Sequence, residues 1–462
     1  MKNRWLIALS AIGVHASIGS VYAFSVFKKP LSRLLEDASD NVIAWTFSLA
    51  IFFLGISAAV MGHFVEKHGP RVSGRLAAVF FGGGLLIAGF GASTQNLYMI
   101  WLGYGVLGGI GLGIGYITPV ATLVKWFPDR RGLATGLAIM GFGFGAFFGG
   151  PLFQKLMTYF GLAAYQLDSL EQAAGLEVIA SQIDTLSGAE HSQAVAAIVS
   201  AAGIASNWYI MGAVYLLLMF ASASYLERPP EGWMPAKMQR DIASGKTKKV
   251  EDLSQLRANE AVLTGPFWGL WLMMFINISC GIAVIYSASP LAQESIGLSA
   301  AEAAAVVGLM SVFNGCGRVA WASLSDYLGR SNTYIAFFAI QIVAFYLLPN
   351  ITSVLLFQVV LYIILTCYGG GFATLPAFIG DLFGTKQLGA IHGYVLTAWA
   401  AAGLAGPQIA AYVRSLTGSY EVTLYIFAVV FIIALVTAFF MKIYIAKSRG
   451  LLIKAAPYVS ES

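Results

Sequence analysis

Long apolar runs alternate with short polar connections along almost the whole chain. A helix needs about 20 apolar residues to cross a hydrocarbon core of about 30 Å, and twelve runs have about that length or more. We therefore predict twelve membrane-spanning helices. The runs lie at residues 4–27, 42–61, 75–94, 98–124, 132–157, 207–226, 265–290, 301–322, 332–349, 352–375, 389–413 and 420–444.

The composition agrees with this pattern. Of the 462 residues, 58% are hydrophobic and 11% are charged, whereas a soluble domain carries about 25% charged residues. We predict an all-α polytopic membrane protein. The first run, 4–27, is too long for the core of a signal peptide and no small-residue cleavage site follows it, so we expect it to be retained as a helix.

Basic residues are concentrated in alternate connections. Residues 62–75, 125–131 and 227–264, together with the chain after residue 441, hold most of the lysines and arginines, whereas residues 161–206 contain none. Cytoplasmic loops of membrane proteins carry an excess of lysine and arginine. The sequence therefore predicts that both chain ends are cytoplasmic.

The polar segments suggest the domain organisation. We predict an N-terminal six-helix half at 1–226 and a C-terminal six-helix half at 265–446. The proline-containing basic segment 227–264 would link them in the cytoplasm, and 447–462 would form a cytoplasmic tail. The acidic, alanine-rich insertion 161–206 is expected to form a small external helical cap.

One loop motif occurs in both halves. Residues 62–71 read G-x-x-x-E-K-x-G-P-R, and residues 322–330, in the corresponding place, read A-x-x-x-D-Y-x-G-R. Two related halves around one site are typical of secondary transporters. We predict that these loops form a conformational latch, which joins the halves on the cytoplasmic side and breaks when the protein opens inward. The latch residues are Gly62, Glu66, Lys67, Gly69, Arg71, Asp326, Gly329 and Arg330.

These loops and the twelve spans, six in each half, resemble the major facilitator superfamily over essentially the whole chain outside 161–206. Within it, the segment G-S-V-Y-A-F-S-V-F at 19–27 is similar to the oxalate/formate antiporter family. The pair Asn314 and Arg318 in the eighth run is similar to the monocarboxylate transporters and their bacterial relatives, in which an arginine pairs with the substrate carboxylate.

The chain departs from both relatives. Eukaryotic monocarboxylate transporters commonly have an aspartate at the position of Asn314. Because this chain has asparagine there, any proton relay at this position lacks that carboxylate. Oxalate-type exchangers use a second positive group, a lysine in the eleventh helix, whereas Trp399 lies at about that depth here. Two positive groups suit a dianion. Because the lysine is missing here, the resemblance favours a monoanion.

Arg318 is the strongest candidate site residue, since it is the only charged side chain near the middle of any run. An arginine at the centre of a membrane helix costs about 2.5–3.5 kcal/mol on insertion scales, so it normally faces a bundle interior or a wet cavity. Its planar fork can hold a carboxylate through two hydrogen bonds. The alternatives are a structural arginine bonded to backbone carbonyls and one that snorkels to the cytoplasmic end.

Other polar side chains in the runs are weaker candidates. Asn314 lies one helical turn before Arg318 on the same face, where it either assists the substrate or makes an interhelical hydrogen bond. We predict that His15 and His392 are proton-coupling groups, since imidazole titrates between pH 5 and 8; the alternative for His15 is an ordinary interhelical histidine. The remaining substrate-binding candidates, each of which could instead serve packing, are Tyr22, Tyr116, Tyr286 and Trp399.

The predicted function is alternating-access secondary transport of a small organic monocarboxylate such as lactate, pyruvate or formate, with proton symport left open. Oxalate/formate-type exchange is the alternative, and a sensor or transceptor is the least favoured. The spans lack the clustered acids, histidines or nucleophile that a membrane enzyme needs. We expect no cofactor, metal site or nucleic-acid partner, and a monomer in the lipid bilayer of a bacterial inner membrane.

Overall fold

A computed structural model describes residues 2–35, 40–164, 189–244, 252–298 and 300–459, and these form α-helices without any β-strand. The elements up to residue 225 are α1 (Arg4–Gly19), a 3₁₀ turn (Ser20–Ala23), α2 (Ser25–Leu34), α3 (Asp40–Ser93), α4 (Leu97–Ile100), a π-helical stretch (Trp101–Leu107), α5 (Gly108–Trp126), α6 (Arg131–Ala164) and α7 (Ala189–Tyr225).

The second part of the chain begins with two short helices in the connection between the halves. Its elements are α8 (Ala236–Ala243), α9 (Ala258–Ala261), α10 (Gly265–Ile296), α11 (Ala300–Leu328), α12 (Arg330–Leu347), a 3₁₀ turn (Leu348–Asn350), α13 (Val354–Phe383), α14 (Leu388–Val395), α15 (Thr397–Thr417) and α16 (Glu421–Val459).

Eleven helical stretches in the described ranges are long and apolar enough to cross a membrane. One of them, Trp45–Ser93, has 49 residues, about twice the length of a single span. It bends at Gly69, where the backbone leaves the helical conformation. This stretch therefore covers nearly all of two predicted spans, 42–61 and 75–94, and the prediction of a twelve-span all-α membrane protein is confirmed.

Glycine makes both bends of the repeated loop possible. Gly69 has φ 82° and ψ 168°, and Gly329, at its counterpart position before α12, has φ 82° and ψ 149°. Residues with a Cβ rarely adopt this region, which is essentially restricted to glycine. The repeat seen in the sequence is therefore also a repeat of backbone conformation.

Small residues bring the two halves into close contact. A Cβ added to Gly143 of α6 would lie 2.8 Å from the Cα of Gly315 in α11, and one added to Gly62 of α3 would lie 2.5 Å from the Cα of Ala390 in α14. Glycine at such positions lets helix backbones approach closely. The halves therefore pack along two related seams, α6 with α11 and α3 with α14.

Both described chain ends lie on one face of the bundle, which we call the terminal face. Near the start of the chain, Arg4 forms a 2.8 Å ion pair with Asp129, in the connection between α5 and α6. An open cavity with a volume of about 1310 Å³ lies on this face. Lys442 of α16 lines it together with Asp129 and Glu231. The connections that carry most of the basic residues also lie on this face.

Two predicted segments differ in extent from the helices that the structure describes. The sixth span was predicted from residue 207, but α7 already begins at Ala189, within the predicted insertion 161–206. The centre of that insertion, 165–188, lies outside the described residues. At the other end, α16 continues as one helix to Val459 through most of the predicted tail 447–462.

We predict that Gly69→Ala and Gly329→Ala each lower the free energy of unfolding by about 1–3 kcal/mol, because alanine at a positive φ is strained. The measurement is denaturant or thermal unfolding of the protein in detergent micelles. Gly83→Ala is the matched control, since no atom lies within 4 Å of the added methyl group and alanine favours a helix over glycine by up to about 1 kcal/mol. Equal stability losses at all three positions would contradict this account.

Candidate functional site

The side chain of Arg318 lies in the interior of the bundle with 0% of its surface exposed. Its Nε donates to Oδ1 of Asn314 at 3.3 Å, and its Nη1 donates to the backbone carbonyl of Ile139 in α6 at 3.1 Å. The buried Nη2 has no hydrogen-bond partner among the described residues. The side chain therefore does not snorkel to the terminal face, and one edge of its fork remains available for an acceptor.

Close helix packing buries this charge. A Cβ added to Gly369 of α13 would lie 2.3 Å from the carbonyl oxygen of Asn314 and 3.1 Å from the Cγ of Arg318. Any larger residue at this position would push α13 away from α11. The run Gly369-Gly370-Gly371 was the signal in the sequence that could have placed α13 at the site, and our sequence analysis missed it.

Two phenylalanines also missed by the sequence analysis face the guanidinium. The Cζ of Arg318 lies over the ring of Phe142 and over the ring of Phe372, at 5.4 Å from each ring centroid. Phe142 belongs to α6 and Phe372 to α13, so the rings come from opposite halves of the protein. A guanidinium within about 6 Å of a ring centroid is attracted by the ring quadrupole.

Three of the predicted aromatic residues surround these phenylalanines. The ring centroid of Trp399 lies 5.3 Å from that of Tyr116 and 6.4 Å from that of Tyr22. Tyr22 lies on the 3₁₀ turn after α1, and its hydroxyl is 3.4 Å from that of Tyr368, another residue missed in the sequence. The structure thus joins three of the four aromatic candidates; the side chain of the fourth, Tyr286, lies outside the described residues.

The two candidate histidines flank Tyr116. The ring centroid of His15, from α1, lies 5.3 Å from the ring centroid of Tyr116. The ring centroid of His392, from α14, lies 5.8 Å from the same centroid. Both histidines have 0% exposure. Nδ1 of His15 lies 3.2 Å from the carbonyl oxygen of Ala11, whereas neither nitrogen of His392 has a partner among the described residues.

Unpaired buried polar atoms are concentrated in this cluster. Roughly 90% or more of buried polar groups in proteins have a hydrogen-bond partner, so several exceptions at one place suggest a polar ligand. Most of these atoms are N–H or O–H groups that can donate, and a carboxylate offers only acceptors. The atoms without partners in the described residues are Arg318 Nη2, Tyr116 Oη, Trp399 Nε1, His15 Nε2, and Nδ1 and Nε2 of His392.

On the terminal face, each repeated loop contacts the start of a helix in the other half. The carboxylate of Asp326 accepts hydrogen bonds from the backbone N–H groups of Gly132 at 2.8 Å and Leu133 at 3.0 Å, in the first turn of α6. The carboxylate of Glu66 accepts one from the N–H of Gly389 in α14 at 2.9 Å. Carboxylates are stabilised at helix N-termini by the helix dipole. The two contacts are therefore reciprocal.

Further ion pairs accompany the Asp326 contact. Asp381 of α13 binds Arg131 of α6 at 2.9 Å and Arg330 of α12 at 3.0 Å. Arg330 also binds Asp326 at 2.7 Å. Asp252, from the connection between the halves, binds Arg131 at 2.6 Å. Our sequence analysis missed Arg131, Asp252 and Asp381.

Not all predicted latch residues take part in these contacts. Arg71 binds Glu227, the first residue of the connection between the halves, at 3.0 Å. Lys67 is exposed and forms no ion pair with a described residue. Glu66 is instead paired with Lys125 at 2.9 Å. In this structure, the acids of the two loops bind across the interface. Arg330 pairs with Asp326 and Asp381 of its own half, and neither Lys67 nor Arg71 forms a described ion pair across the interface.

Comparison with known proteins identifies the family. The family model of the Major Facilitator Superfamily matches residues 6–167, 192–407 and 279–456. The chain belongs to this superfamily. A variant of the fucose:proton symporter FucP of E. coli has a similar fold, with a TM-score of 0.66 and 16% identity over 94% of this chain and 97% of that structure.

Several curated relatives are named for organic anions. The oxalate:formate antiporter of Oxalobacter formigenes is 26% identical over 89% of this chain and 85% of its own length. The apicoplast pyruvate carrier 1 of Toxoplasma gondii is 24% identical over 85% of this chain and 81% of its own. Monocarboxylate transporter 13 of Bos taurus is 31% identical over 34% of this chain and 36% of its own. The resemblance stated from the sequence is thereby confirmed.

We predict that Asp326→Asn loosens the terminal face, because a neutral amide caps α6 and binds Arg330 more weakly than a carboxylate. The probe is a cysteine at Thr135, whose hydroxyl donates to the carbonyl of Ala373 in the other half at 2.6 Å, in a protein with its natural cysteines replaced by alanine. We expect the charge-assisted contact of Asp326 to weaken by about 1.4 kcal/mol. The cysteine at position 135 should then react with maleimide roughly tenfold faster.

Asp129→Asn is the control for this experiment. It makes the same chemical change but removes an ion pair with Arg4 inside one half. Labelling at position 135 should stay at the parent rate in this variant. If Asp326→Asn left the labelling rate unchanged, the carboxylate would not hold the halves together.

Proposed function

We propose that this protein is a secondary active transporter for a small organic monocarboxylate of the lactate, pyruvate or formate type. The observation that carries the proposal is the fully buried guanidinium of Arg318, whose Nη2 has no partner among the described residues. The site it shares with Tyr116 and Trp399 is rich in donors, and no described acid pairs with Arg318. The names of the relatives support the same class of substrate.

In this mechanism, the carboxylate binds along the edge of the guanidinium that carries Nη2. Asn314 holds Nε at 3.3 Å and thereby fixes the plane of the fork, while the hydroxyl of Tyr116 and the indole N–H of Trp399 supply further donors. Binding neutralises a charge that is expensive to bury in a membrane. The loaded site is therefore easier to enclose than the unloaded one, and the two halves rock around it in alternating access.

We infer that the terminal face is cytoplasmic, so that both chain ends lie on the cytoplasmic side of a bacterial inner membrane. The support is the excess of lysine and arginine in the connections that lie on this face. The latch contacts of Asp326 and Glu66 would then close the cytoplasmic side and break when the protein opens inward. We also propose that the protein works as a monomer, since its substrate site is formed within one chain.

Proton symport would use His15 and His392. They approach Tyr116 from opposite halves, and imidazole is the side chain that changes charge between pH 5 and 8. Protonation of either one would add positive charge near Arg318 and favour an incoming anion. A carboxylate and a proton would then cross together.

Exchange of the oxalate/formate type is the second candidate. It is favoured by the similarity to the oxalate:formate antiporter over 89% of this chain, and it requires no titratable group. The position of Trp399 weighs against a dianion, because the indole supplies one N–H donor but no second positive charge. Transport assays with a pH gradient and with internal counter-anion separate the two candidates.

We predict that Arg318→Gln reduces carboxylate uptake into proteoliposomes at least a hundredfold, because glutamine provides no charge and no fork. Labelled lactate, pyruvate, formate and oxalate should each be tested. Arg75→Gln is the matched control, since Arg75 contacts Ser224 and the ring of Phe220 within the first half of the chain. Uptake by the Arg318 variant at the parent rate would refute the proposed site.

We also predict that His15→Gln and His392→Gln abolish the stimulation of uptake by an inward pH gradient while counter-anion exchange persists. Glutamine retains hydrogen-bonding capacity but cannot carry the proton. The measurement is initial uptake rate between pH 5 and 8, and His63→Gln, at an exposed histidine, is the control. A pH profile unchanged in both variants would remove the histidines from the mechanism and leave exchange.

A further inference from the structure

We propose that Phe142 and Phe372 set the affinity of Arg318 for its anion, acting as positioning residues that compete electrostatically with the substrate. This inference rests on the proposed function, since it concerns how the carboxylate is held. The rings would stabilise the unliganded guanidinium and thereby weaken its attraction for the carboxylate, so that the anion can be released.

Both rings lie close to the guanidinium. The Cζ of Arg318 lies 5.4 Å from the centroids of both Phe142 and Phe372, over the ring faces. All three side chains have 0% exposure, so water does not screen the interaction. No acidic side chain pairs with Arg318 in the described part of the chain, so the ring faces contribute to the negative potential around Cζ together with the oxygens of Asn314 and Ile139.

Packing against other aromatic side chains fixes each ring. The ring of Phe142 lies 5.0 Å from that of Tyr22 and 5.6 Å from that of Tyr116. The ring of Phe372 lies 4.5 Å from that of Trp399. These edge-to-face contacts prevent either phenylalanine from turning its face away from the guanidinium.

The backbone of α6 approaches Arg318 closely enough to hold Phe142 beside it. A Cβ added to Gly143 would lie 2.8 Å from the Cα of Gly315 and 3.7 Å from the Nε of Arg318. The carbonyl of Ile139, one turn earlier, accepts from Nη1 at 3.1 Å. Phe142 therefore contacts the arginine as part of a direct contact between the halves.

The two cation–π contacts stabilise the unliganded guanidinium, because a ring face attracts a desolvated cation. A carboxylate at the edge of the fork reduces the net charge that the ring quadrupoles attract, so binding loses part of this stabilisation. Rings whose faces carry less negative potential should therefore give tighter carboxylate binding and, in the absence of carboxylate, a less stable protein. A ring that serves only to fill space would produce neither effect.

Fluorination separates the electrostatic effect from the shape of the ring. Phe142, and separately Phe372, would be replaced by 4-fluoro-, 3,5-difluoro- and 3,4,5-trifluorophenylalanine, which progressively remove the negative potential of the ring face. Phe337 is the control, because it is equally buried but contacts Trp321, Tyr334 and Phe338. The measurements are calorimetric binding of pyruvate, lactate, formate and oxalate, and the midpoint of thermal unfolding in carboxylate-free buffer.

We expect the dissociation constant to fall stepwise, by about two- to tenfold across each series, since tenfold corresponds to 1.4 kcal/mol. The unfolding midpoint without carboxylate should fall stepwise at positions 142 and 372. At position 337 the binding constant should not change, and any stability change should be smaller. Dissociation constants that are flat, or that rise with fluorination, would overturn the proposal.

The design also distinguishes failure of this inference from failure of the proposed function. If the unmodified protein bound none of the four anions, the carboxylate assignment would fail. The thermal series would then decide the present inference alone: a stepwise loss of stability at 142 and 372 beyond that at 337 supports it, and equal responses at the three positions refute it.

Discussion

The buried positive charge of Arg318 is the constraint on which the candidate site and the contact between the halves depend. Arg318 has no acidic partner among the described residues, and a charge at this depth in a membrane is unfavourable by several kcal/mol. The structure compensates with neutral groups: the Asn314 carbonyl, the Ile139 carbonyl and the faces of Phe142 and Phe372. Two of these groups belong to α6, on the other side of the interface. The charge is therefore stabilised by the contact between the halves as well as by its own half.

Backbone proximity makes this compensation possible. The carbonyl of Ile139 and the ring of Phe142 reach Arg318 because Gly143 and Gly315 leave no side chain between α6 and α11. Gly369 has the same effect on the opposite side, between α13 and α11. In a bilayer, where burial against other helices adds no hydrophobic driving force, close van der Waals packing is the main source of helix association. The same glycines thus hold the helices together and place the neutral partners of the arginine.

Local sequence patterns predicted the spans and the repeated loops that contain Gly69 and Gly329, and they singled out Arg318 as a candidate, because each leaves a signal within a few residues. They did not predict Phe142 or Phe372, since 31 phenylalanines occur in the chain and an apolar run gives no sign of which ones face a cation. Arg131 and Asp381 were missed for a related reason: they pair across 250 positions of sequence. Contacts of that kind depend on how the helices assemble, which local patterns do not specify.

The candidate site and the Asp326 contact of the proposed latch share two helices, α6 and α11. Along α6, Gly132 and Leu133 bind Asp326, and about ten residues later, or roughly 15 Å at 1.5 Å per residue, Phe142 faces Arg318. Asp326 and Arg318 both belong to α11. Because each helix is a continuous rod between these points, a movement that separates α6 from α11 at the terminal face also draws Ile139 and Phe142 away from the guanidinium. Opening of the latch would then remove neutral partners of the arginine, and an anion bound at Nη2 would offset that loss. This shared pair of helices is a physical route by which occupancy of the site can bias the latch.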